Sequence, residues 1–252
     1  MTFLISNDDG VHAKGLAALH EAVTPLGESL VVAPDREQSA ASHAISLHRP
    51  LRMRELRPGW WEVDGTPTDC VYLALNHLLP KDRPQLVVSG INRGPNLGDD
   101  VTYSGTVAAA MEGALLGIPS VAFSLVSPKR TFDYAPAVPF VRAFVKALLD
   151  RPLAAGALLN VNLPEGPIRG FTWTKMGKRS YGQLVEERTD PRGRKYFWIG
   201  GVENAHENIP GSDCNAVYND QLASVTPLSL DLTHHALLDS LRSLPVEGYA
   251  SR

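Results

Sequence analysis

Cysteine is nearly missing from this chain: Cys70 and Cys214 are the two it has, far apart in sequence. That excludes a disulfide framework and any cysteine-based metal spacing, and it fits a reducing compartment. No apolar run approaches the ~18 residues of a membrane span. The first residues show no charged segment leading into a cleavable apolar one, so the expectation is a cytoplasmic protein with no membrane partner. Excess charge is missing too. The net charge is -3, which gives no reason to expect a nucleic-acid duplex or a membrane surface as partner. What remains is an ordinary composition, 44% apolar and 20% charged over 252 residues. That is enough for one large α/β domain or two small ones.

Phe3-Leu4-Ile5-Ser6 reads as a buried parallel strand that runs straight into Asn7-Asp8-Asp9-Gly10. The carboxyl end of such a strand opens on the crevice where open α/β sheets bind ligands. Two adjacent carboxylates repel each other there and persist in water or on a cation. Leu16, Leu19, Val23 and Leu26 predict a helix from Lys14 to about Pro25, and Ser29 to Ala33 a second strand, which completes a right-handed βαβ unit. The loop from Arg36 to His43, with Ser39, leaves that strand on the crevice side. Leu51–Leu56 and Trp60–Val63 read as a hairpin, and Thr66-Pro67-Thr68-Asp69 as a helix start in which Asp69 serves the dipole.

Gln85 to Ser89 is the next apolar strand, followed by a loop with Asn92 and Asn96. Ser104-Gly105-Thr106 then opens a helix of small residues over Val107–Leu116, a ready anion seat of free amides and hydroxyls. A strand over Ser120–Ser124, a helix over Phe132–Leu149 and a strand over Leu158–Leu163 follow. Beyond Gly166 the spacing predicts an antiparallel arm of Phe171–Lys175, Leu184–Arg188 and Tyr196–Ile199, then a strand over Ser224–Leu228 and a tail helix over Leu232–Leu244. The arm and tail helix are natural oligomerisation elements.

Three loops thus share one crevice and supply carboxylates, a hydroxyl, amides and a helix N-terminus. Hard oxygen ligands of this kind suit Mg²⁺ or Mn²⁺, and a metal beside an anion seat is the layout of phosphoryl-transfer chemistry. His12 and His43 lie near the crevice but form no zinc pattern, so surface or structural roles are expected, and His234-His235 belong to the tail helix.

At these residues the chain resembles the SurE family of survival-protein nucleotidases. The matching segments are Ser6-Asn7-Asp8-Asp9-Gly10-Val11, Ala33-Pro34-Asp35-Arg36 with Ser39, and Gly65-Thr66-Pro67-Thr68-Asp69-Cys70. Ser89-Gly90-Ile91-Asn92 with Gly94-Pro95-Asn96-Leu97-Gly98, and Tyr103-Ser104-Gly105-Thr106, complete the set. The resemblance implies a Rossmann-like, mostly parallel three-layer α/β fold with a projecting β-hairpin arm and a C-terminal helix. It implies one domain over 1–252: a body at about 1–165, an arm at about 170–200, and a C-terminal strand and helix at about 222–245. The implied activity is hydrolysis of nucleoside 5′- or 3′-monophosphates with one divalent metal ion and a metal-activated water, in a homodimer or homotetramer. Carried across, Asp8, Asp9, Ser39 and Asn96 hold the metal and Asn92, Ser104, Gly105 and Thr106 bind phosphate, with Asp8, Asp9 and Asn92 catalytic. Ala40 departs from the family, which often has glycine there, and Gly211–Gln221 matches poorly.

Other chemistries fit less well. An aspartyl-phosphate phosphatase wants aspartates at alternate positions, whereas Asp8 and Asp9 are adjacent. A nicotinamide enzyme wants Gly-x-Gly-x-x-Gly after the first strand, which is missing. A nucleotide sensor needs the anion seat but has little use for paired carboxylates.

Overall fold

The computed structural model describes residues 2–128, 131–180, 184–200, 205–242 and 244. In chain order the body contains β1 (Phe3–Ser6), α1 (Lys14–Val23), β2 (Ser29–Pro34), β3 (Met53–Arg57), β4 (Trp60–Val63) and α2 (Pro67–Leu73). It continues with β5 (Leu86–Arg93), α3 (Gly105–Leu115), β6 (Ser120–Leu125), α4 (Val138–Asp150) and β7 (Leu158–Leu163). The second half adds β8 (Phe171–Trp173), β9 (Arg179–Ser180), β10 (Leu184–Thr189), β11 (Lys195–Gly200), β12 (Ala205–His206), α5 (Asp213–Tyr218), β13 (Ala223–Leu228) and α6 (His235–Leu241).

Nine strands form one sheet in the order β3-β4-β2-β1-β5-β6-β7-β13-β8. From β4 through β7 neighbouring strands run parallel; β3 is antiparallel to β4 and β13 is antiparallel to β7. Consecutive strands step outward from β1 to β2, then the chain returns to place β5 on the other side of β1. That reversal is a topological switch point, and it sets the crevice at the carboxyl ends of β1 and β5.

The strand period of two builds both faces. Phe3 and Ile5 enter the core under α1 and α4, together with Val31, Val88 and Phe123. Leu4, between them, enters the opposite core with Val32, Val87 and Ala109, under α2 and α3. A sheet covered on both faces in this way is a three-layer α/β body. Thr66 caps α2 in a reciprocal box with Asp69, with Pro67 at the first helical position, so Asp69 does serve the helix start.

The second half departs from expectation in one respect. Phe171–Trp173 does not belong to the arm: β8 pairs parallel with β13 at the edge of the main sheet. The hairpin is β10 with β11 alone, closed by the turn at Asp190. A three-residue aromatic strand shows no partner preference in its own residues, and its pairing comes from β13, about fifty residues later. The helix expected from Phe132 starts at Val138 after a 3₁₀ turn at Ala135–Ala137, because Pro136 and Pro139 favour a helix entry over its interior. The tail helix is described as His235–Leu241; residues 243 and 245 of the expected span lie outside the described residues. Among the described residues no helix is long and apolar enough to cross a membrane.

Candidate active site

Asp8 leaves β1 at the switch point with 5% of its surface exposed. Its carboxylate accepts a hydrogen bond from the Thr106 hydroxyl. Gly105 makes this approach possible: a Cβ there would lie 2.7 Å from Asp8 Cβ. The first turn of α3 is therefore pressed against the carboxylate. Burial pushes Asp8 up to about 6; the Thr106 hydrogen bond opposes the rise and the neighbouring Asp9 charge adds to it. Asp9 is also raised by burial, against the pull of Arg93. Its Oδ2 accepts the Arg93 backbone N–H at 3.0 Å, which ties the end of β1 to the end of β5.

The loop after β2 folds back over this pair. Gln38 N–H donates to the Asp8 carbonyl at 2.8 Å. Ser39 Oγ donates to Glu37 at 2.7 Å, and Glu37 takes the Arg93 guanidinium at 3.0 Å. Ala40 and Ser42 both sit in the left-handed region, at φ 58° and 54°. Glycine at position 40 would adopt that conformation without the Cβ clash, which gives the departure noted above a structural consequence.

Asn96 is held from four directions. Its N–H donates to Asn162 Oδ1 at 2.8 Å, while its carbonyl accepts from Asn160 and Asn162 side chains at 2.8 and 3.0 Å. Its side-chain Nδ2 donates to Ser124 Oγ at 2.7 Å, an arrangement that reserves Oδ1 as an acceptor. Asn92 Nδ2 donates to the Gly94 carbonyl at 3.0 Å. Ser104 caps α3, its Oγ accepting the Val107 N–H at 3.0 Å. The N–H groups at the first helical positions, Gly105 and Thr106, precede any intrahelical partner.

A cavity of about 300 Å³ brings Asp8, Ser39, Asn92, Asn96 and Ser104 together. Asp9 faces an adjoining cavity instead, and Arg93 lines both. Gly105 and Thr106 are buried behind Asp8, and the Thr106 hydroxyl is spent on that carboxylate. His12 is exposed, and His43 pairs with Glu112 of α3 at 2.9 Å. His234 caps α6 and His235 pairs with Asp231.

Among the described residues no group of three or more His, Cys, Asp and Glu side chains can hold a metal. The donors available here are two carboxylates, a hydroxyl and an amide oxygen. Such a set fits a hard divalent cation that keeps several waters, and a cation would offset the desolvation of the paired carboxylates.

Several supporting residues lie outside the sequence motifs. Asp213 is fully buried and accepts N–H groups of Gly98 at 2.9 Å and of Gly177 and Cys214 at 2.7 Å. Asp100, on the cavity wall, pairs with buried Arg179 at 3.2 Å, and Arg179 donates to the Tyr218 hydroxyl at 2.9 Å. Burial still pushes Asp100 up to about 6. Asn160 and Asn162 stand out as polar residues in a buried strand, a legible signal; Asp213 and Arg179 carry none.

Comparison with known proteins places this geometry in context. The family model described as survival protein SurE matches residues 3–183. A 5′-nucleotidase SurE from Myxococcus xanthus (strain DK1622) is 62% identical over 247 residues, covering 98% of this chain and 94% of that protein. One from Geobacter sulfurreducens is 50% identical over 246 residues, covering 96% and 93%. The crystal structure of the SurE protein from Aquifex aeolicus superposes with a TM-score of 0.85 at 42% identity, covering 96% of this chain and 98% of that one.

Proposed function

This chain belongs to the SurE family, and from that premise we propose that it is a metal-dependent 5′-nucleotidase, hydrolysing nucleoside monophosphates to nucleoside and phosphate. The observation that carries the reading is the convergence of Asp8, Ser39, Asn92, Asn96 and Ser104 on one cavity at the switch point, beside the N-terminus of α3. The whole chain, 1–252, acts as one domain in a cytoplasmic homo-oligomer.

In this reading Asp8, Asp9, Ser39 and Asn96 hold one divalent ion, Mg²⁺ or Mn²⁺. When bound, such an ion offsets phosphoryl charge and supplies an acidified water as nucleophile. The protein's own groups do the rest. Asn92 and Ser104, which line the cavity, orient the phosphoryl oxygens, and the α3 N-terminus at Gly105 and Thr106 favours their negative charge through its dipole. Thr106 holds Asp8 in place, and the Asn160–Asn162–Ser124 cradle aims Asn96 Oδ1. A water oxygen would bond to phosphorus as the ester P–O bond breaks, and the nucleoside oxygen would leave with the proton that this water gives up.

Phosphate release from a panel of nucleoside monophosphates, with EDTA, Mg²⁺ or Mn²⁺, tests the reading. Metal-dependent release that favours nucleotides over p-nitrophenyl phosphate is expected. Saturable nucleotide binding with no release under any metal would turn the site into a sensor.

A further inference from the structure

The second cavity, about 240 Å³, adjoins the first across Arg93. Its polar wall is Asp9, Lys14, Glu37 and Arg93; its other wall is Phe132 and Tyr134. We propose that this cavity receives the nucleoside half of the substrate, with the Phe132 ring as the surface on which the base lies. The inference rests on the nucleotidase reading and names where that substrate's second half goes.

A nucleoside monophosphate is a compact anion joined through a sugar to a flat heterocycle, so it needs an anion seat and an adjoining slot with an apolar face. The two cavities meet at the Asp8-Asp9 step and Arg93, where the scissile bond would lie. Tyr134 is buried, and its ring runs nearly parallel to that of Phe132, at 21° and 6.4 Å between centroids. Phe132 is half-buried and braced by this fixed neighbour, so a planar ligand meets a surface with little freedom left to lose. Burial and the nearby Asp9 charge push the Tyr134 hydroxyl up to about 12, so that wall stays neutral.

The polar lining offers what a sugar needs. Lys14 forms no ion pair among the described residues, and Glu37 has acceptor capacity beyond the two hydrogen bonds it takes from Ser39 and Arg93. The Arg93–Glu37 pair that borders both cavities is about half exposed on each side. Exposed pairs of that kind are weak enough to open for a ligand that spans the boundary. Every base has a π-face, so a stacking surface predicts broad tolerance of base identity rather than selection of one.

Phe132→Leu and Phe132→Trp separate stacking from bulk. The kcat/KM for AMP relative to that for glycerol 2-phosphate, which has no base, is expected to fall roughly tenfold in F132L, mainly through KM, and to be retained in F132W. Equal losses on both esters, or an unchanged ratio, would overturn the proposal. Adenosine, which has no phosphate, is then titrated by saturation-transfer NMR. Saturation passing from aromatic ring protons to the base in the wild type, and lost in F132L, is expected; a base signal that survives in F132L overturns the subsite. If the wild-type protein hydrolyses no ester with any metal, the nucleotidase reading fails, and the adenosine titration decides the subsite by itself.

Discussion

The most informative side chain is Asp8, because its environment opposes its charge. A carboxyl raised to about 6 binds protons more tightly in the folded chain than in the unfolded one, whose value is 3.8. Between those two values the folded state holds the extra proton, so stability of the metal-free protein falls as pH rises from about 4 to about 6 and is flat above. Asp8→Asn removes that penalty while keeping an oxygen for Thr106. In EDTA at pH 7, D8N is expected to melt roughly 5 °C above wild type, in line with about 2–3 kcal/mol. The gain should vanish at pH 4, and turnover should be lost at every pH. A D8N protein that melts with or below wild type would show that burial does not penalise this carboxylate. Ala40 offers an independent test of local strain. Its left-handed φ of 58° favours glycine, partly offset by glycine's larger backbone entropy. A40G is expected to raise stability by about 0.5 kcal/mol, read as a shift in the urea midpoint at constant m. A lowered midpoint would mean that the loop needs the methyl.

Between elements, Asp213 joins the start of α5 to two loops more than a hundred and about thirty-five residues away by accepting Gly98 and Gly177 N–H groups. Asp213→Asn is nearly isosteric, but with Oδ1 kept on Gly177 and Cys214 its NH₂ would face the Gly98 N–H, donor against donor. The expected cost is about 2–3 kcal/mol in a denaturant melt, with weaker Mn²⁺ binding by titration because the Asn96 loop is released. Unchanged Mn²⁺ affinity would confine Asp213 to stability. Residues of this kind explain what the sequence could and could not say. The strands β1, β2, β5, β6 and β7 are mostly apolar runs between turn signals, β7 broken by Asn160 and Asn162, and the Asp8-Asp9, Ser39, Asn92–Asn96 and Ser104–Thr106 segments follow them on the crevice side by topology alone. The bonds by which Asp213 ties the loops together come from backbone N–H groups of Gly98 and Gly177, which leave no trace in residue type. The Phe171–Trp173 strand pairs with β13 and not with the arm, because three aromatic-rich residues carry a strand propensity but not a partner.

At the scale of the whole molecule, the tail remains to be accounted for. α6 spans seven residues, and none of them is buried. A helix that short does not hold itself together in water; its stability has to come from packing an apolar face. Leu237, Leu238 and Leu241 are each about half exposed and recur at helical spacing, with Leu232 and Leu244 exposed on either side. Net charge of -3 puts little repulsion in the way of self-association. A second copy of the chain, as the proposed homodimer or homotetramer supplies, would cover this face. Light scattering after size exclusion should give a dimeric or tetrameric mass for wild type at micromolar concentration. Leu237→Asp with Leu238→Asp should shift it toward the monomer and lower the melting temperature, because burying two carboxylates in an apolar contact costs several kcal/mol. A wild-type monomer would leave the leucines of α6 without a partner and sink the assembly. An oligomer untouched by the double substitution would move the contact elsewhere, to the exposed aromatics of β11 or the edge strand β8, where Tyr196, Phe197 and Trp198, or Phe171 and Trp173, offer the next apolar surface.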